Sequence, residues 1–205
     1  MYPAITGILL AGGKSSRMGQ NKALMTLGGK SLTERALEVL SGLFPALAIS
    51  TNSPEEFSAL GVPMFPDQYS EAGPLGGIHA ALSFVPAGKV FVLGCDIPLM
   101  TREVIRTIVE YPSDDPVVIA RGDGFLQPMC GLYDPRITGT IAHMVERRNA
   151  EGRKKNCGLL ELTKTVPTTI IPIEEALSAY QPGTFFNMNR PEEYREIVRL
   201  LGNGN

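Results

Sequence analysis

Four short apolar runs, each followed by a segment of helical periodicity, constrain this chain more than any other feature. Ile5 to Ala11, Ala46 to Ser50, Val90 to Leu93 and Val117 to Ala120 are short and apolar on both faces, the pattern of strands covered on both sides. Ser31-Leu-Thr-Glu34 has the form of a capping box. Leu32, Ala36, Leu40 and Leu43 recur after it at helical spacing, and Gly42 falls near the helix end. Leu75, Ile78, Leu82 and Val85 predict a second helix. Val104, Ile105, Ile108 and Val109 predict a third, with Thr101 as its N-cap. Ile137, Ile141, Met144 and Val145 mark a fourth, and Tyr194, Ile197, Val198 and Leu201 after Pro191 mark the last. Strands alternating with helices call for one α/β domain, a Rossmann-like three-layer sandwich with a mostly parallel central sheet. Residues 66–74 read as a polar loop and 149–156 as a charged one. Residues 127–172 carry the weakest pattern and are expected as an insertion over the sheet, and the tail from Gly202 is expected to fray.

Composition narrows the function classes. Nineteen Lys and Arg against 21 Asp and Glu leave a net charge of −2, without the basic excess of a general nucleic-acid or membrane-surface binder. Neither a spanning helix nor a signal peptide is expected. The apolar runs are short, and Met1-Tyr2-Pro3 is no basic leader. Cys95, Cys130 and Cys157 are widely spaced and odd in number, a usage that fits buried free thiols in a reducing cytoplasm. With two histidines and no CxxC pair, a zinc or redox centre is not expected.

Ligands of open α/β sheets bind beyond the carboxyl ends of the strands. The first strand runs into Leu10-Ala-Gly-Gly-Lys-Ser-Ser-Arg-Met-Gly-Gln-Asn-Lys22. Paired glycines let backbone N–H groups approach an anion, and Lys14, Arg17 and Lys22 place three cations beside them. The alternative is a glycine turn with a solvated basic face. The P-loop pattern GxxxxGK[ST] fails because Ile8 stands where glycine is required, and GxGxxG fails on spacing. The third apolar run ends at Gly94-Cys-Asp96-Ile-Pro98. Asp96 either caps the turn before Pro98 or holds a hard cation against phosphate, a role that suits Mg²⁺. Two parallel strands ending on one edge would bring the glycine loop and Asp96 together as a magnesium–nucleotide site.

These residues resemble a known family. Leu-Ala-Gly-Gly-x-Ser-x-Arg-Met-Gly-x-x-Lys (Leu10 to Lys22), Gly-Pro-Leu-Gly-Gly (Gly73 to Gly77), Cys95-Asp96 and Asn187-Met-Asn189-Arg-Pro-Glu-Glu are similar to the nucleotidyltransferases that mature molybdenum cofactor, best of all to the molybdenum cofactor guanylyltransferases. The first motif is shared with the wider nucleotide-sugar pyrophosphorylase superfamily. The resemblance implies the nucleotide-diphospho-sugar transferase fold, with residues 1–126 as the nucleotide half and 127–205 as the acceptor half. It implies Mg²⁺-dependent transfer of GMP from GTP to the phosphate of molybdopterin, with release of pyrophosphate. Leu10, Ala11, Gly12, Gly13, Ser50, Asn52 and Gly73 would line the nucleotide, and Arg17 and Lys22 would hold the triphosphate. Asp96 would bind the metal, and Asn187 and Asn189 would face the pterin. Asp67 aligns with the residue placed on guanine, where a carboxylate can accept from both the N1–H and the 2-amino group. Otherwise it is an ordinary turn residue after Pro66.

Ser50 departs from the family, which can carry Asn there, but it keeps a hydrogen-bonding group. Arg153, Lys154 and Lys155 read as a solvated charge run or as the basic loop at the pterin phosphate. His79 and His143 are expected as bystanders, and Cys95 as a small buried hydrophobe. The resemblance also implies cofactor-biosynthesis proteins and recipient molybdoenzymes as partners. Competing readings are a cytidylyl-transferring relative, a sugar-phosphate nucleotidyltransferase and a non-catalytic nucleotide-binding scaffold.

Overall fold

The computed structural model describes residues 1–12, 22–69, 72–85, 87–152, 158–188 and 191–202. Strand β1 (Ile5–Leu10) lies mid-sheet because its second half is apolar and buried throughout. Ile8 and Leu10 face one side and Leu9 the other, as the pleat requires. Then come a small hairpin of β2 (Thr26–Leu27) and β3 (Lys30–Ser31), α1 (Leu32–Ser41), β4 (Ala46–Ser50), β5 (Met64–Phe65), α2 (Pro74–Phe84), β6 (Lys89–Gly94) and α3 (Arg102–Glu110). The chain continues with β7 (Val117–Gly122), β8 (Phe125–Tyr133), α4 (Thr138–Ala150), α5 (Gly158–Thr165), β9 (Thr168–Pro172), the short α6 (Ile173–Ala176) and α7 (Pro191–Gly202). Seven strands form one sheet in the order β5-β4-β1-β6-β8-β7-β9. Among them β8 alone runs antiparallel to its neighbours.

Two apolar cores cover the sheet. Leu9, Ile49, Phe91 and Leu93 pack under α1 and α3, while Ile8, Leu10, Val90 and Val92 pack under α2, α4 and α5. Each fully buried Leu, Ile, Val or Phe contributes about 1.5–3 kcal/mol, so the all-apolar strands hold the layers together. A third cluster of Leu27, Leu32, Met188 and Ile197 seats α7 on the β2–β3 hairpin, where the Tyr194 hydroxyl donates to the Thr26 carbonyl at 2.9 Å. No helix among the described residues is long and apolar enough to cross a membrane.

The three-layer α/β expectation holds, as do the four strands and five helices read from periodicity. The capping box forms: the Ser31 hydroxyl accepts the Glu34 N–H at 3.2 Å and the Glu34 carboxylate accepts the Ser31 N–H at 2.7 Å. Ser31→Ala is therefore expected to cost about 1 kcal/mol, read as a lower urea midpoint at unchanged slope. Gly42 caps α1 in a right-handed conformation (φ −71°), so its missing side chain serves space rather than backbone freedom. A Cβ there would collide with the Arg102 guanidinium.

One expectation is overturned. Residues 127–172 are not an insertion over the sheet: most of β8 lies in them and runs between β6 and β7, and β9 forms the sheet edge. Gln127 and Pro128 disguised β8, since proline in a run argues against an interior strand. The ladder tolerates them because Ile119 pairs with Gly131 and Arg121 with Leu126, so the register shifts around them, and β6 pairs only with Cys130 to Tyr133.

Candidate active site

The register of the parallel strands levels their ends. Leu10 pairs with Ser50 on one side and Gly94 on the other, and Ser50 pairs with Phe65. The ladder runs one step further, with the Ala11 N–H on the Ser50 carbonyl at 3.0 Å and the Cys95 N–H on the Leu10 carbonyl at 3.2 Å. Residues just past these ends, Gly12, Asn52, Asp67 and Asp96, therefore share one rim. Leu10 and Ala11 are buried beneath it, and Gly12 is exposed, with no atom of the described residues beyond its chain neighbours within 4 Å of where a Cβ would stand. Gly13, Arg17, Asn189, the Arg153–Lys155 run, Cys157 and the tail from 203 lie outside the described residues.

Lys22 opens a single 3₁₀ turn (Lys22–Leu24) that carries it back over the rim. Its Nζ sits 3.0 Å from Asp96 Oδ2, both side chains four-fifths buried. The other oxygen, Asp96 Oδ1, is buried without a hydrogen-bond partner among the described residues. That atom needs Gly94, because a Cβ there would lie 2.6 Å from it and 3.1 Å from the Met129 side chain. A buried carboxylate oxygen left unpaired is costly, and a cation would satisfy it.

At the other end of the rim, Asp67 gathers two of the sequence candidates. Oδ1 accepts from the Ser50 hydroxyl at 3.1 Å, Oδ2 from the Asn52 amide at 3.3 Å, and the Asp67 N–H donates to Asn52 Oδ1 at 3.0 Å. Burial raises the Asp67 carboxyl above its ordinary value, while the bonds from Ser50 and Asn52 pull it partly back. Each oxygen keeps a lone pair for a further donor. Gly73, at φ 61° and ψ −149°, occupies a backbone region restricted to glycine and starts α2 below. Gly77 then passes under the carboxylate, where a Cβ would stand 3.3 Å from Ser50 Oγ and 3.6 Å from Asp67 Oδ1.

Asn187 reaches the same region through its neighbour. The Met188 N–H donates to the Asp96 carbonyl at 2.8 Å, while the Asn187 amide donates to the Phe185 carbonyl at 3.3 Å. The rim thus carries a hydrogen-bonding carboxylate at one end, a lysine–aspartate pair at its centre and an asparagine tied in beside that pair.

The chain has known relatives. A family model described as the MobA-like NTP transferase domain matches residues 7–158. The chain belongs to that family. It is accordingly a nucleotidyltransferase. It is 31% identical over 199 residues, 96% of each chain, to the probable molybdenum cofactor guanylyltransferase of Carboxydothermus hydrogenoformans. It is 30% identical to the molybdenum cofactor guanylyltransferase of Vibrio cholerae, over 94% of this chain and 91% of that one. The crystal structure of molybdopterin-guanine dinucleotide biosynthesis protein A from Archaeoglobus fulgidus superposes with a TM-score of 0.78 over 97% of this chain and 99% of that chain, at 22% identity.

In this transferase neither histidine has a hydrogen bond to a rim residue among the described residues. His79 is buried with Nδ1 unpartnered and its ring edge-on to Tyr69, centroids 4.9 Å apart, and burial lowers its pKa. His143 is exposed on α4. Cys95 is buried and its thiol is pushed up to about 12, by burial first and the Asp96 charge second, so it is a packing residue. Cys130 is buried and shifted the same way. Sequence reading missed Asp123, whose carboxylate accepts the N–H groups of Gly183 at 2.9 Å and Phe185 at 3.2 Å. The signal was present, since Asp123-Gly124 is a two-residue hairpin turn between β7 and β8.

Proposed function

We infer that this nucleotidyltransferase transfers GMP from GTP to the terminal phosphate of molybdopterin, releasing pyrophosphate and forming the guanine dinucleotide. The observation that carries the reading is the rim itself, with the Ser50–Asn52–Asp67 cradle and the Lys22–Asp96 pair at levelled strand ends. A guanine edge presents an N–H and an amino group side by side, and the two oxygens of Asp67 accept both. Cytosine and adenine offer no such pair, which favours guanylyl over cytidylyl transfer. The Lys22–Asp96 contact likewise favours an enzyme over a binding scaffold. The names of the relatives support the same substrates. The halves of the chain divide accordingly, residues 1–126 for the nucleotide and 127–205 for the acceptor, and cytoplasmic cofactor-biosynthesis proteins and recipient molybdoenzymes are the partners this role requires.

The donor set fits Mg²⁺. Asp96 offers a buried, unpaired oxygen, and among the described residues no group of three metal-ligating side chains surrounds it. Such a carboxylate suits a hard cation whose other ligands are phosphate and water. Bound there, the ion would neutralise charge on the triphosphate. Lys22 adds a mobile positive charge at the same point, and Arg17 a fork for phosphate oxygens. An oxygen of the acceptor phosphate attacks the α-phosphorus in line, and the bond to the bridging oxygen breaks as pyrophosphate leaves. No side chain need take a proton, because the attacking oxygen is already ionised. Asn187, held next to Asp96, and Asn189 orient the pterin. Catalysis then rests on aligning two anions and compensating their charge.

Thermal melting with GTP, CTP, ATP and UTP, each with and without Mg²⁺, tests the reading. Mg²⁺–GTP at about 100 times its dissociation constant is expected to stabilise the fold by about 2.7 kcal/mol, with smaller shifts for the other nucleotides. A CTP-selective shift would overturn guanine recognition in favour of the cytidylyl reaction.

A further inference from the structure

We propose that Phe125 is the stacking platform for the acceptor's pterin ring. The inference rests on the guanylyl-transfer reading and names a residue for the half of the reaction that the rim motifs leave least defined. Phe125 is 74% exposed, although its ring is as apolar as any in the core. A single exposed aromatic means little. Its place in the sheet is what gives it meaning.

The nucleotide side of the rim is the β4–β5 side, where Asp67 stands, and Asp96 follows β6. The sheet continues beyond β6 with β8 and β7, which leaves that side for the second substrate. Leu93 pairs with Cys130. Asp96 lies three residues past that pair on β6, and Phe125 lies five residues past it on β8, towards the same rim because the two strands are antiparallel. Gly122 and Phe125 pair across the turn at Asp123 and Gly124, both at positive φ (52° and 81°), which is the geometry of a tight two-residue hairpin.

The turn is braced. The Asp123 carboxylate holds the Gly183 and Phe185 N–H groups, and its own N–H donates to Glu174 at 3.0 Å. Three residues on from Phe185, the Met188 N–H binds the Asp96 carbonyl. Hydrogen bonds and a short stretch of chain thus connect the hairpin that carries Phe125 to the metal-type carboxylate, with Asn187 between them. An exposed ring on a braced turn at the same edge of the sheet as Asp96 suits an acceptor with a planar pterin face, since stacking needs a fixed π-face and no directional hydrogen bond.

The chain contains no tryptophan, so Phe125→Trp introduces a single emitter at the proposed platform. Molybdopterin is expected to quench its fluorescence, and Mg²⁺–GTP alone to leave it unchanged. In turnover, Phe125→Ala is expected to raise the acceptor KM about tenfold while the GTP KM and kcat at saturating acceptor stay within about twofold. Phe125→Tyr and Phe125→Trp are expected to restore the KM. An acceptor KM unchanged in Phe125→Ala, or tryptophan emission indifferent to molybdopterin, overturns the platform. Quenching by molybdopterin in a protein that neither turns over nor responds to GTP upholds the platform and overturns the guanylyl reading instead.

Discussion

Asp96→Ala is expected to lower turnover at least about a thousandfold while the protein melts within a few degrees of the parent. In the proposed reaction the kinetic loss is large because one carboxylate pairs with Lys22 and supplies the buried oxygen suited to a cation, so its removal would leave the triphosphate charge uncompensated. The stability loss is small. The pair it breaks is one-fifth exposed on each side, so Lys22 can turn to water, and the variant removes a buried oxygen that has no hydrogen-bond partner among the described residues. Asp96→Asn keeps the shape and loses the charge, and is expected to be nearly as inactive. Pyrophosphate release, measured beside thermal melting, separates the two effects. Turnover within tenfold of the parent would remove Asp96 from the metal role.

Asp67→Asn is expected to weaken GTP binding by one to two orders of magnitude and to flatten the preference over ATP and CTP. An amide offers one acceptor where the carboxylate offers two, and its NH₂ would face the donors of guanine. It would also face the Ser50 hydroxyl or the Asn52 amide, so the cradle must rearrange. The parent should show a pH signature that the variant lacks. Because burial raises the Asp67 pKa, the carboxylate protonates at a higher pH than an ordinary aspartate, and GTP affinity falls as pH descends through that raised value. The same shift makes the folded protein bind this proton more tightly than the unfolded chain. This residue's contribution to stability therefore declines as pH rises from the unfolded aspartate value through the raised one. Titrating GTP affinity against pH for both proteins checks the assignment. Unchanged discrimination among nucleotides in Asp67→Asn would transfer base reading to backbone groups.

Much of this molecule was legible from local pattern. The buried runs at Ile5, Ala46, Val90 and Val117 became strands, and Ser31 and Thr101 capped the helices they precede, because burial on both faces and cap chemistry are settled within a few residues. The parallel alternation put Asp96 and Gly12 on one edge, as the levelled ends of β1 and β6 do. The family motifs supplied Asp67, Ser50 and Asn52, whose contacts with one another no local pattern contains.

The rest depended on pairings between residues distant in the chain. Strand β8 carries Gln127-Pro128 and a glycine whose Cβ would stand 2.7 Å from Ile119, so its own sequence argues against a central strand, and only the presence of β6 and β7 on either side makes it one. The approach of Lys22 to Asp96 spans 74 positions and that of Asp123 to Phe185 spans 62. By itself the sequence determined the element types, the layered α/β class and the sheet edge shared by Gly12 and Asp96, because periodicity and capping act over one or two turns. The tertiary structure alone decided the order of strands beyond β6, the unpaired oxygen of Asp96 and the bracing of the β7–β8 turn. Those depend on which distant backbones share hydrogen bonds and on where a missing Cβ leaves room.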